Sequence, residues 1–216
     1  WRVVDLAFYA GNLPPGPSPQ GVFVDDLPDD PLVLGLVSRG CKVVRLGRLV
    51  HPDDGRVSAV IPDRAAAGRL AAEYLSGRHF RSVGFICYRE MLEAPNAAGL
   101  YESFRDRAGE LGCDCHELVF EPLSVKKNAR VPGPEKHWLR QAEFACWLQT
   151  IPKPIGLFTF GDNMAGRLSV TALSEGFEIP QQVAMLGYGG DRTMSVSAPV
   201  PLSTVDVGSG NRCDTA

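Results

Sequence analysis

No apolar run in this 216-residue chain approaches the roughly 20 residues needed to cross a bilayer. The longest, Val83 to Cys87 and Ile155 to Phe160, are broken by Gly, Lys or Asp, so no membrane association is expected. The chain opens on Trp1 without an initiator Met, a basic stretch or a small-residue cleavage site, and no secretory signal is read there. Charge of one sign is never concentrated. The net charge is -3 and the basic residues are spread along the chain rather than gathered in a stripe, which argues against this segment holding duplex DNA through phosphate contacts. Any such contact falls to another segment.

The motifs of several enzyme classes are missing too. There is no Gly-x-Gly-x-x-Gly turn for a dinucleotide and no Gly-x-x-x-x-Gly-Lys loop for a phosphate. The nearest stretch, Gly187-Tyr188-Gly189-Gly190, follows a strand pattern but lacks a third spaced glycine and a convincing helix after it. No Gly-x-Ser-x-Gly elbow presents a nucleophile. Cys113-Asp114-Cys115-His116 carries zinc-ligand types, yet Cys-x-Cys without a second pair reads as loop or core cysteines, and His51, His79 and His137 have no partner at ligand spacing. The carboxylate pairs Asp25-Asp26, Asp29-Asp30 and Asp53-Asp54 stand in Pro- or Gly-rich contexts where Asp caps turns. No cofactor, metal or enzymatic activity is expected. The six cysteines are scattered, two of them inside apolar patterns, as reduced core thiols of a cytoplasmic protein would be.

What is present is an alternation. At 44% hydrophobic and 22% charged, the chain is a globular protein with material for one or two cores. Short β-branched runs recur between amphipathic segments of helix length, the pattern of parallel βαβ units. Strands are expected near Arg2 to Tyr9, Gly21 to Asp25, Lys42 to Leu46, Ser58 to Ile61, Ser82 to Cys87, His116 to Phe120, Ile155 to Phe160 and Val183 to Leu186. A helix is expected from Arg64 to Ser76, capped by Asp63, with Ala65, Ala66, Ala67 and Gly68 forming a small face for close packing on a sheet. Others are expected from Asn96 to Leu111 before Gly112, from Lys136 to Thr150 before Pro152, and from about Asp162 to Glu175, closed by Gly176. The polar stretch Pro122 to Pro134 reads as an exposed loop.

Ligands of open parallel sheets bind outside the carboxyl ends of the strands. That rule selects Tyr88 and Arg89, then Gly161, Asp162 and Asn163, then Tyr188 to Asp191. Carboxylate, amide and guanidinium groups would hydrogen-bond a sugar, with an aromatic plane against its apolar face. Asp162 fits either a ligand contact or the N-cap of its own helix.

Two stretches then carry a resemblance. Asp63-x-x-x-x-Gly68-x-Leu70-Ala71-Ala72-x-x-Leu75 with Gly77 to Ile86, and Pro154 to Asp162 with Glu175 to Tyr188 and Pro201 to Val205, resemble the effector domain of the lactose-repressor superfamily. Phe144 to Gly156 and Leu202 to Gly208 are similar to the xylose-operon regulators, which join such a domain to an AraC-type helix-turn-helix region. The resemblance implies an α/β, two-lobed periplasmic-binding-protein-like fold, each lobe a parallel sheet flanked by helices. It implies a first lobe of residues 1–80 rejoined by 205–216, and a second of 81–204. It further implies a sugar-like effector held between lobes whose closure is the switch, operator DNA bound by a module outside this chain, and a homodimer. A strand and helix before Trp1 and a helix after Val205 would complete such a domain. A periplasmic sugar-binding protein of a transport system is the alternative.

The expected effector contacts are Tyr88, Arg89, Asn96, Asp162, Tyr188 and Asp191. The family's ligand-binding Arg falls on Leu100, its ligand-binding Asp on Gly189, and a third polar position on Gly161. Without the charged Arg and Asp, pentose binding is expected to be weaker by several kcal/mol. The site then either reads another molecule, through Asp191, Arg89 or Asn96, or has lost its effector.

Overall fold

The computed structural model describes residues 19–25, 31–46, 57–93, 99–121 and 133–207, in two compact units, Trp1–Pro62 and Asp63–Ala216. The strand expected over Arg2 to Tyr9, Asn96, Asp26 and the pairs Asp29-Asp30 and Asp53-Asp54 lie outside the described residues.

In the first unit, β1 (Gly21–Asp25), β2 (Lys42–Leu46) and β3 (Val57–Val60) form a parallel sheet in that order, with α1 (Pro31–Ser38) between the first two. Val24 and Val43 are its buried pair, with Val22 and Val37 packed against them. Gly40, at φ 83°, turns the chain out of α1. The Cys41 amide then donates to the Leu36 carbonyl (3.0 Å), an end that a residue with a Cβ forms at a cost.

The second unit begins with α2 (Arg64–Gly77), followed by β4 (Ser82–Tyr88), α3 (Arg89–Glu93), α4 (Leu100–Glu110) and β5 (Asp114–Phe120). Then come α5 (Gly133–Thr150), β6 (Ile155–Thr159), α6 (Asp162–Ser174), β7 (Val183–Gly189), α7 (Arg192–Ser197) and β8 (Ser203–Asp206). The five strands make one wholly parallel sheet in the order β5-β4-β6-β7-β8. Alternation along the strands assigns two cores. Val83, Phe85, Cys87, Phe158, Leu186 and Val205 face α2 and α4, while Ile86, Leu118, Ile155, Leu157, Val183 and Met185 face α5 and α6.

Helix ends follow their residues. The Asp63 carboxylate accepts from the Ala66 amide (2.8 Å), as expected of the α2 cap. Gly112 (φ 72°) and Gly176 (φ 84°) end α4 and α6 in the left-handed conformation. In each case the next amide reaches back, Cys113 to Ala108 (2.9 Å) and Phe177 to Ala172 (3.0 Å).

Three expectations change. Gly68 presses not on the sheet but on α4, where a Cβ would collide with the Leu100 carbonyl and the Ser103 hydroxyl and lie 3.0 Å from the Phe104 nitrogen. A helix does follow Gly187 to Gly190, the short α7, capped by Asp191. The helix expected from Lys136 starts three residues earlier, at Gly133, and the rest of the expected loop, 122–132, lies outside the described residues.

Gly68→Ala sets two effects against each other. Alanine improves helix propensity by about 1 kcal/mol. Forcing a methyl group into backbone atoms that cannot rotate away costs about 1 to 3 kcal/mol. The second effect is expected to win, lowering the unfolding free energy by up to about 2 kcal/mol in a urea titration; a stabilised variant would contradict the packing described.

Candidate functional site

The sheet order places a topological switch point between β4 and β6, because β4 is followed by its neighbour on one side and β6 lies on the other. Two strands whose connecting chains leave in opposite directions open a crevice at their carboxyl ends. Tyr88 ends β4, and Phe160, Gly161 and Asp162 follow β6, its amide line held by the Phe160 amide donating to the Ile86 carbonyl (2.9 Å). The expected site residues are therefore near the right end of the sheet, but in two groups.

Tyr88 belongs to the α5 side, its ring 5.5 Å from that of Phe120. Beside it Arg89 is engaged with the Glu121 carboxylate, Nη2 to Oε1 at 2.5 Å and Nε to Oε1 at 3.1 Å. The hydrogen bond from Arg89 holds the Glu121 carboxyl below its ordinary value. This exposed pair spans the carboxyl ends of β4 and β5.

Asp162, Tyr188 and Asp191 form the second group. Asp162 is only 3% exposed. Its Oδ2 accepts from the Asp191 amide (2.7 Å) and its Oδ1 from the Thr204 hydroxyl (2.6 Å). Thr204 in turn accepts from the Gly190 amide (3.1 Å). One carboxylate thus joins the ends of β6, β7 and β8, with the positive end of α6 beside it.

The N-cap expectation for Asp162 is corrected: Gly161 holds the cap position, with no side-chain cap, and Asp162 is the first helical residue. Asp191 is the capping aspartate instead, its Oδ1 accepting from the Thr193 (2.8 Å) and Met194 (3.1 Å) amides. Both carboxylates are occupied with backbone or side-chain donors of the protein itself.

The glycines at family ligand positions have local causes. Gly189 has φ 129° and Gly161 φ 127°, conformations that side chains rarely allow, and a Cβ on Gly189 would stand 3.3 Å from Asp162 Oδ2. A Cβ on Gly187 would run into Asp162 Oδ1. Leu100, at the family's Arg position, is completely buried in the core between α2, α4 and the sheet. Neither position that the resemblance assigns to a charged anchor carries a charged side chain, and at 189 the backbone disfavours any side chain.

Two residues outside the expected set occupy the α2 side of the switch point. Phe160 is half-buried, 5.4 Å from the Tyr188 ring at an interplanar angle of 33°. The Arg64 guanidinium, at the start of α2, lies 5.6 Å from the Phe160 centroid. Phe160 was legible as the end of an expected strand, and strand alternation from Phe158 assigns its face.

The cysteine run offers no comparable site. Cys115 and His116 alternate on β5 and so face opposite sides of the sheet, and buried Cys113 donates to the Phe80 carbonyl (3.4 Å). Burial pushes the Cys87 thiol up to about 12 and the Cys115 thiol up to about 11. Among the described residues no group of three His, Cys, Asp or Glu side chains is arranged to hold a metal ion, and no helix is long and apolar enough to cross a membrane.

Removing the Asp162 carboxylate leaves a part-buried amide and hydroxyl without their acceptor. With roughly 1.5 to 3 kcal/mol for each hydrogen bond to a charged group, Asp162→Ala is expected to lower the unfolding free energy by about 3 kcal/mol. Asp162→Asn keeps one acceptor oxygen and should lose about half of that. Urea titration of both variants checks this, and an Ala variant within about 0.5 kcal/mol of wild type would show that the clasp carries no weight.

Similar architectures occur among solved structures. A periplasmic-binding ribose operon repressor from Lactobacillus acidophilus is 15% identical, covering 94% of this chain and 66% of its own, with a TM-score of 0.62. A LacI-family regulator from Rhizobium etli is 19% identical, covering 82% and 68%, at 0.62. The xylose-binding transcription activator xylR is 20% identical, covering 80% and 43%, at 0.60. At these identities the likeness shows a shared fold. The chain spans between 43% and 68% of the length of these three. Among curated proteins no match is found. The model of the periplasmic binding protein-like domain matches residues 72–216, the greater part of the chain, from the second half of α2 through the whole five-stranded sheet, and the protein belongs to that family.

Proposed function

We propose that this chain is the effector-sensing domain of a bacterial transcription regulator that recognises a sugar-like small molecule. The observation that carries the reading is the family's parallel sheet with aromatic residues at its switch point, Tyr88 at the end of β4 on one face and Phe160 after β6 on the other, with Tyr188 beside Phe160. The relatives in fold support sensing over transport, since they are described as an operon repressor, a LacI-family regulator and a xylose-binding transcription activator.

In this reading the chain contributes to two lobes, with α2 and β8 belonging to the lobe built on the five-stranded sheet. Tyr88, Arg89, Asn96, Asp162, Tyr188 and Asp191 surround the effector, Asp162 and Asp191 by fixing the backbone that faces it. The effector favours one conformation by its differential affinity, and that shift governs DNA binding by a module outside this segment. The regulator works as a homodimer on paired half-sites in the cytoplasm. Reading the gene outward tests this: a helix-turn-helix coding region agrees, whereas a signal peptide in its place would assign the protein to transport.

Two solution measurements follow. Because the polar anchors for a pentose are absent, and each unmet hydroxyl costs roughly 1 to 3 kcal/mol, calorimetry with xylose and arabinose should find no binding tighter than the millimolar range. Micromolar xylose binding that disappears in Asp191→Ala would overturn this and identify Asp191 as the anchor. Because the net charge is -3, the segment alone should show no salt-sensitive shift of duplex DNA; a tight, salt-dependent complex would contradict the division of labour.

A further inference from the structure

No further inference is drawn: the strongest candidate, the apolar face of the three-stranded sheet on the side away from Val24 and Val43, where Phe23 is 75% and Val60 60% exposed, carries nothing because nothing among the described residues shows what covers it.

Discussion

A carboxylate taken almost wholly out of water needs hydrogen-bond donors, and Asp162 finds them in an amide just after β7 and a hydroxyl on β8. The rest of the carboxyl end of the sheet is arranged around that requirement. The Asp191 amide can reach Asp162 only if the chain leaves β7 sharply, which Gly189 and Gly190 allow at φ 129° and 81°. Thr204 must stand on β8 opposite Gly187, as the parallel register places it. The turn so formed leaves Asp191 in position to cap α7. A single buried carboxylate thereby ties the ends of β6 and β7 to β8, using directional bonds where apolar contacts would fix distance without orientation.

The two faces of the sheet contribute differently. On one, α2 and α4 meet at glycine distance and bury Leu100 and Phe104 against Phe85 and Phe158, a tight aromatic layer whose ring centroids lie 5.4 to 6.0 Å apart. That layer continues outward as Phe160 and Tyr188, so the platform at the switch point is the rim of the core and inherits its rigidity. On the other, α5 and α6 cover a more aliphatic layer that ends at Tyr88 and the Arg89–Glu121 pair. A surface that stays flat because it is an extension of packed interior needs little ordering when a ring settles on it.

Much of this was legible beforehand, for identifiable reasons. The bounds of β1 and β2 coincide with those expected, because each is a β-branched run between turn residues. α2 and α6 were readable from a capping aspartate and a terminal glycine respectively. β8 was not expected, since Ser203-Thr204-Val205-Asp206 has one buried apolar residue and its strand character comes from pairing with β7. α7 is six residues long, too short to show a period. At the site, position relative to strand ends was enough to select Asp162, Tyr188 and Asp191. Their roles were not, because whether a carboxylate faces solvent, ligand or a neighbouring amide depends on the β8 contact that the sequence did not announce. Phe160 was passed over as the last residue of a strand, where alternation already gave it a face.

The absence of a side chain at Gly187 and Gly189 also constrains how this protein can change over time. A side chain at position 189 would require the backbone there to hold a φ that L residues rarely adopt and Asp162 to give by a few tenths of an ångström. Either demand alone leaves a less stable protein. The two positions are therefore coupled: a side chain added at 189 has to be accommodated by a shift of Asp162, whose carboxylate is in turn held by the Asp191 amide and the Thr204 hydroxyl.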